Sequence, residues 1–165
     1  MELLKKKACI PFLFIVFGAN FFQIQAQTIS GEKMAQLSFM VGNWGGPSKS
    51  YKATDTTTVL AHEIVSYKVD KHLITLDLDS EALKLHTVIY YDEKEQTYFY
   101  CPYYKKGAGK YRGSYRNGRF LVTFNENRRL IFQKSPEGYF HEYGEELKNG
   151  EWVKYFEDLL PPKKG

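Results

Sequence analysis

Cysteine is scarce in this chain. Of its two cysteines, Cys9 lies in an apolar N-terminal segment and Cys101 stands alone in the remainder. A chain shortened by that segment has no second thiol, so an intramolecular disulfide is excluded there. Residues 98–101 alternate in the manner of a strand, and this context favours burial of the Cys101 thiol.

Long apolar runs are also rare, and the one that stands out is at the N-terminus. Residues 8–17 are apolar, three lysines precede them at 5–7, and Ala26 offers a small residue for cleavage. This pattern predicts a secretory signal peptide over residues 1–26. The run is shorter than the roughly 20 residues of a membrane-spanning helix, so no integral membrane span is expected after cleavage. The chain also lacks an Asn-x-Ser/Thr sequon, which fits bacterial export better than passage through a eukaryotic secretory pathway. We therefore expect a bacterial protein that is exported to the periplasm or secreted.

Charge of one sign is not in large excess. The formal net charge is +4, and the first 26 residues carry three of the 23 basic and one of the 19 acidic residues, which leaves +2 for the remainder. The densest basic segment, residues 105–119, is interleaved with glycines and is typical of a solvated hairpin rim. We therefore expect no nucleic-acid partner.

Motifs for catalysis or metal binding are missing as well. His62, His72 and His86 are scattered without the paired spacing of a zinc site. No serine on a strand-to-helix turn, no ordered Cys/His pair and no pair of carboxylates on facing strands is recognisable. The sequence predicts no enzyme, no metal site and no cofactor, and it leaves open whether Glu63 points inward or outward.

The segment before residue 44 has the only helical pattern outside the leader. Ser30 can cap a short helix in which Met34, Leu37 and Val41 form one apolar face ending at Gly42. We expect this helix to plug one end of the domain that follows.

Short strands account for everything after Trp44. Besides the strand that begins there, nine are predicted, at residues 56–69, 73–78, 83–91, 97–101, 108–115, 119–124, 129–134, 139–147 and 152–159. Asn117-Gly118 and Asn149-Gly150 are strong hairpin signals, and the connections are too short for parallel crossovers. Pro102 is expected to end its strand.

Ten antiparallel strands must close or expose their edges. The sequence therefore predicts an all-β fold, a single up-and-down barrel with a short N-terminal helix. Its domain would span residues 27–160, followed by a polar tail at 161–165. A closed barrel of this size can hold a ligand cavity.

Three segments resemble the short bacterial lipocalin-like domains of the calycin group: LSFMVGNWGG at 37–46, YYDEKEQTYFY at 90–100 and FHEYGEELKNGEWVKYFEDLLPP at 140–162. The resemblance implies a lipocalin-like barrel and little about activity. It also implies that Trp44 packs across the closed end under a basic side chain from a late strand, for which Lys154 and Arg129 are the candidates. The fatty-acid-binding branch uses an arginine and a tyrosine on a late strand, where this chain has Lys154 and Tyr155.

Tyrosine is plentiful, and a tyrosine-lined interior suits a small-molecule pocket. The residues expected to orient a small lipophilic ligand are Tyr98, Tyr100, Arg129, His141 and Tyr143. His141 and Tyr143 share one face of a strand, whereas Glu142 points the other way.

Two alternatives to this ligand-binding interpretation stay open. A filled barrel would favour a cell-envelope interaction module that uses the rim at residues 105–119. A barrel histidine, here His141, could bind haem iron as in nitrobindin-like members of the calycin group. An oligomeric state is not predicted.

Overall fold

The computed structural model describes residues 29–163, so the predicted signal peptide at 1–26 lies outside the described residues. One helix, α1 (Ile29–Ala35), is followed by a 3-10 turn (Ser38–Met40). The strands are β1 (Gly42–Tyr51), β2 (Thr56–Lys68), β3 (Leu73–Ser80), β4 (Lys84–Asp92), β5 (Thr97–Tyr104), β6 (Gly107–Ala108), β7 (Tyr111–Arg116), β8 (Arg119–Asn125), β9 (Arg128–Lys134), β10 (Phe140–Lys148) and β11 (Glu151–Leu160).

The strands form a closed antiparallel barrel. Their order is β4, β3, β2, β1, β11, β10, β9, β8, β7 and β5, and β5 pairs back onto β4. The two-residue strand β6 adds to the edge of β5 only. Ten strands therefore close the barrel, which confirms the predicted fold class.

Both Asn-Gly hairpins form as the sequence predicts. Asn117 and Gly118 have φ values of 53° and 76°, and Asn149 and Gly150 have 53° and 85°. Two consecutive positive φ angles are the signature of the primed turn whose twist matches antiparallel strands. These turns join β7 to β8 and β10 to β11.

Helix α1 and the 3-10 turn close one end of the barrel, and here the sequence expectation needs correction. The helix ends at Ala35 and does not continue to Gly42, and Ser30 lies within it. Met34, Leu37 and Met40 are fully buried, whereas Val41 is partly exposed. Their spacing of three residues follows from the tighter 3-10 geometry after the helix.

Trp44 is the centre of the closed end. Its indole N–H donates to the Met40 carbonyl at 2.8 Å, and its ring stacks on Phe140 with 5.7 Å between centroids. Phe132 and then Phe120 continue the stack at 6.0 and 5.8 Å. Trp44 thus joins the 3-10 turn to β10 directly, and to β9 and β8 through the ring stack.

Neither basic side chain expected to cover Trp44 does so. The Arg129 guanidinium lies 3.9 Å from the ring centre of Trp152, and the Lys154 ammonium lies 4.6 Å from that of Tyr143. Arg129 and Lys154 are on the outer face of the barrel, so they cannot reach a ring inside it.

Pro102 does not end its strand, contrary to the sequence expectation. Strand β5 runs to Tyr104, and Pro102 pairs with Thr87 of β4. On its other side β5 pairs with β7 only at residues 98–100 and with β6 only at 103–104. The missing N–H of Pro102 therefore falls between two partners, where no ladder bond is needed.

The residues after β11 add to the closed end. The Gly45 N–H donates to the Pro161 carbonyl at 3.1 Å, and the Lys163 N–H donates to the Asn43 carbonyl at 2.8 Å. The segment from Pro161 to Lys163 therefore extends the pairing of β1.

Candidate functional site

A cavity of about 500 Å³ occupies the half of the barrel away from α1. At this end of the barrel the cavity is lined by Ala82 and Leu83, in the turn after β3, and by Asn125, the last residue of β8. Its walls combine aliphatic and aromatic side chains with tyrosine hydroxyls: Leu78, Leu85, Tyr104, Tyr111, Phe124 and Leu130. The barrel is thus packed solid at one end and hollow at the other.

A β-bulge shapes one wall of the cavity. Gly144 pairs with Phe156 but Glu145 pairs with Lys154, so Tyr155 is an extra residue on β11. As a result, the adjacent rings of Tyr155 and Phe156 both line the cavity. Gly144 makes this possible, because a Cβ there would lie 2.3 Å from the Tyr155 ring and 2.4 Å from the Phe156 ring.

Three buried carboxyl groups form what we call the carboxylate floor of the cavity: Glu63 on β2, Glu142 on β10 and Asp158 on β11. Each offers an oxygen within 4.8 Å of the other two. Glu142 and Asp158 line the cavity, whereas Glu63 is completely buried and is not part of the lining.

The carboxylate floor has unmet hydrogen-bonding capacity. When the floor is fully ionised, both Glu63 carboxylate oxygens and Asp158 Oδ1 are buried without a hydrogen-bond donor among the described residues. Glu142 is within hydrogen-bond reach of Glu63 and can donate to it only when one of the two carboxyl groups is protonated. Buried polar groups in native proteins are nearly always paired, so an exception calls for an explanation. None of the three carboxyl groups forms a salt bridge with another described residue.

Burial and mutual repulsion control the ionisation of the floor. Burial raises the pKa of Glu63 and Glu142 well above the ordinary range, and the Asp158 charge raises both further. The Glu63 charge and the hydrogen bond between Glu142 and Glu63 also raise the pKa of Glu142, whereas the same hydrogen bond partly opposes the rise at Glu63. Burial also raises the pKa of Asp158 to about 6, although the Ser48 hydroxyl opposes the rise. Two unit charges 4.8 Å apart repel by roughly 3 kcal/mol at an effective dielectric constant of about 20. The floor thus favours protonation or a bound positive charge.

Tyr100 connects the floor to the walls. Its hydroxyl accepts a hydrogen bond of 3.5 Å from the Thr87 hydroxyl. Burial raises the pKa of Tyr100 well above its usual value, and the nearby Glu142 charge adds to the effect. Tyr100 therefore remains a neutral phenol whose O–H is still available to donate one hydrogen bond.

Arg128 brings positive charge to the cavity wall. Its guanidinium lies 4.1 Å from the centre of the Tyr155 ring. Among the cavity-lining side chains that the structure describes, it is the single basic one. Its contact is with an aromatic face and not with the floor.

The structure separates the five residues predicted to orient a ligand. Tyr100 lines the cavity. Tyr98 is at the closed end, where its hydroxyl is 2.8 Å from both the Lys33 carbonyl and Gln36 Oε1. The other three, Arg129, His141 and Tyr143, are on the outer face of the barrel, because their neighbours along each strand point inward.

A polar network on the outer face includes His141. Its Nε2 is 2.8 Å from Glu157 Oε1 and its Nδ1 is 2.9 Å from Gln133 Nε2, while the Tyr51 hydroxyl donates to Glu157 at 2.9 Å. Burial acts against it, but hydrogen bonds from Lys154, His141 and Tyr51 lower the pKa of Glu157 to about 2. The predicted sharing of a face by His141 and Tyr143 is correct, with 4.9 Å between ring centres, but that face is outside the cavity where a haem iron would lie.

Sequence reasoning missed two members of the floor and left the third undecided. It identified no carboxylates on facing strands, yet Glu142 and Asp158 are direct cross-strand partners. Glu63 points inward, in the same alternation as the buried Ala61 and Val65 on β2. That alternation was the available signal for Glu63, whereas Asp158 depends on the bulge.

Comparison with known proteins gives no matching family model and no similar curated protein. The fold and the cavity therefore carry the functional argument.

Within residues 29–163, no helix is long and apolar enough to cross a membrane. Cys101, predicted to be buried, is a free thiol with 8% of its surface exposed.

Proposed function

We propose that this chain is an exported, lipocalin-like protein of the calycin group that binds a small amphipathic molecule in its cavity without transforming it. The observation that supports binding is the hollow half of the barrel, about 500 Å³ in volume. This is within the usual range of small-molecule sites, roughly 300 to 1,000 Å³. The closed end is sealed by Trp44 and α1, so we place the mouth of the cavity at the opposite end.

The lining supports an amphipathic ligand. Aliphatic and aromatic walls would stabilise an apolar body by about 25 cal/mol per Å² of apolar area removed from water, before the costs of association. The charged groups of the lining are at the floor, where Glu142 and Asp158 meet the cavity, and at Arg128, while serine hydroxyls, Asn125 and tyrosine hydroxyls add uncharged polar groups elsewhere. A ligand with one polar end and one apolar end matches this division.

Export is proposed from the N-terminal residues. The lysines at 5–7, the apolar run at 8–17 and Ala26 have the order of a cleavable leader. Protein recovered from the periplasm of expressing bacteria should begin at Gln27, as measured by intact mass. Cytoplasmic protein that retains the leader would contradict export but would leave the binding proposal intact.

Ser50 and Lys49 offer a matched pair for testing binding. They are adjacent on β1, but Ser50 lines the cavity and Lys49 is exposed outside it. Fluorescence titration with the neutral lipophilic probe N-phenyl-1-naphthylamine should show at least tenfold weaker binding for Ser50→Phe, because the new ring occupies the cavity. Lys49→Phe should bind like the wild type. Equal affinities for both variants, or a wild type that binds no probe, would overturn the proposal.

A further inference from the structure

We propose that the carboxylate floor recognises an organic cation, namely an ammonium group attached to an apolar body that occupies the cavity above it. This inference rests on the proposed binding function, because it assigns the polar end of the same ligand. Three observations carry it: the orphaned carboxylate oxygens, the lack of a side-chain cation at the floor and the size of the cavity.

The orphaned oxygens point to a hydrogen-bond donor that the chain supplies only by protonating one of its own floor carboxyl groups. Both oxygens of the fully buried Glu63 are unpartnered, and so is Oδ1 of Asp158. An ammonium group has three N–H donors, and the floor has three carboxyl groups within 4.8 Å of one another. A single ammonium in the cavity can therefore approach both Glu142 and Asp158, which line it, with the Glu63 carboxyl group behind them.

None of the described cationic side chains neutralises the carboxylate floor, so a positively charged ligand can do so. No described salt bridge reaches Glu63, Glu142 or Asp158, and Arg128 contacts the Tyr155 ring instead. A cation placed between like charges in a site shielded from water is attracted more strongly than it would be at the surface. The floor discriminates against an anionic ligand by the same repulsion.

The cavity favours an organic cation over a bare metal ion. Calcium or magnesium would sit about 2.0 to 2.6 Å from its oxygen ligands and would leave most of the 500 Å³ empty. Most of the remaining wall area is apolar or aromatic, with rings from Tyr104, Tyr111 and Phe124, although three serines, Asn125 and Arg128 also line the cavity. These walls suit an alkyl or aromatic body, and their faces also attract a cation.

Three probes of similar shape test the charge preference. These are 1-naphthylmethylammonium, 1-naphthalenemethanol and 1-naphthoate, which carry a positive, a neutral and a negative polar end. Calorimetric titration of the purified protein should show the ammonium binding at least tenfold more tightly than the alcohol, with the carboxylate weakest. Equal binding of the ammonium and the alcohol would overturn the cation assignment, although the cavity itself would still be a binding site. A failure of all three probes and of N-phenyl-1-naphthylamine would overturn both.

Isosteric variants of the floor residues test whether these carboxyl groups cause the preference for the ammonium probe over the alcohol. The ratio of ammonium to alcohol affinity should fall below about threefold in Glu142→Gln/Asp158→Asn and should fall in Glu63→Gln as well. Glu145→Gln, on the outer face of the same strand as Glu142, should keep the wild-type ratio. A ratio that survives in the floor variants would overturn the assignment. So would calcium, magnesium or manganese chloride alone competing with the ammonium at the floor, because the site would then be one for metal ions.

Discussion

Glu142 and Asp158 face each other directly across β10 and β11, with both carboxyl groups inside the barrel. Like charges opposite each other on neighbouring strands are destabilising, and burial adds to the cost. Residues that work against stability in this way often belong to functional sites. The pair therefore connects the fold of the last hairpin to the proposed role of the cavity.

Neutralising one floor carboxyl group should stabilise the protein at neutral and alkaline pH. Glu142→Gln keeps the shape but removes the repulsion, so we expect the free energy of unfolding to rise by about 1 to 3 kcal/mol at pH 8. Denaturant unfolding at fixed pH, without added ligand, measures this change.

The same variant should also change the pH dependence of stability. Because the floor pKa values are raised by folding, the folded state holds more protons, and stability falls as pH rises from about 4 through the folded pKa values. The advantage of Glu142→Gln should therefore vanish near pH 4 and grow through about pH 6, the pKa of Asp158. The ionisable groups that interact with Glu142 are Glu63, Asp158, Tyr100, Tyr104 and Tyr155, and Arg128 is the basic group on the same cavity wall. The exposed Glu126→Gln is the control, and a Glu142→Gln curve parallel to wild type would contradict the account.

Glu157 should have the opposite pH dependence. Its pKa is lowered to about 2, so its stabilising effect is present above the unfolded pKa near 4.5 and is lost as pH falls toward 2. Glu157→Gln should destabilise the protein by about 1 to 2 kcal/mol at pH 7, since its bonds to Lys154 and His141 lose their charge assistance. Unfolding curves at pH 7, 4 and 2.5 should show this difference shrinking. Exposed Glu151→Gln should change little, and a loss for Glu157→Gln that is equal at every pH would be incompatible with this assignment.

Gly144 should tolerate no side chain. Gly144→Ala places a methyl group against the rings of Tyr155 and Phe156, so we expect a loss of about 1 to 3 kcal/mol from overpacking and weaker probe binding as the rings move. Gly45→Ala is the control, because the atom nearest its new Cβ is Lys163 Cδ at 3.4 Å. A fully stable Gly144→Ala with normal probe affinity would show that the bulge is not held by this contact.

Substitutions of Trp44 and Trp152 compare how much the closed end and the outer face each contribute to stability. Trp44→Phe loses the hydrogen bond to the Met40 carbonyl and part of the ring stack, and should destabilise by about 2 to 4 kcal/mol. Trp152→Phe, which loses a contact with Arg129, should cost about 1 kcal/mol or less. Chemical denaturation followed by far-UV circular dichroism compares the two, and equal losses would argue against Trp44 as the centre of the closed end.

The fold could be predicted from sequence because its signals are local. Alternation within strands, two Asn-Gly turns and short connections each restrict the chain to an antiparallel meander, and ten strands then close. The strand at Pro102 was the exception, because whether a proline N–H is needed depends on which strand lies beside it. That information comes from pairing between distant segments.

The floor could not be predicted because it depends on one bulge. An unbroken hairpin from the turn at Asn149-Gly150 would pair Glu142 with Glu157 and turn Asp158 outward. The extra residue Tyr155 shifts the register by one, so Asp158 points inward and Glu157 joins His141 outside. A one-residue shift moves every following side chain to the other face, and no local signal announces it.

Native mass spectrometry with N-phenyl-1-naphthylamine tests the binding cavity most directly, because it counts bound molecules on each chain. Wild-type protein purified without detergent, and Lys49→Phe, should each carry one probe molecule that is lost on denaturation. Ser50→Phe should carry little or none. Equal probe occupancy on Ser50→Phe and wild type, or a wild type that stays bare at saturating probe, would contradict a ligand site inside the barrel.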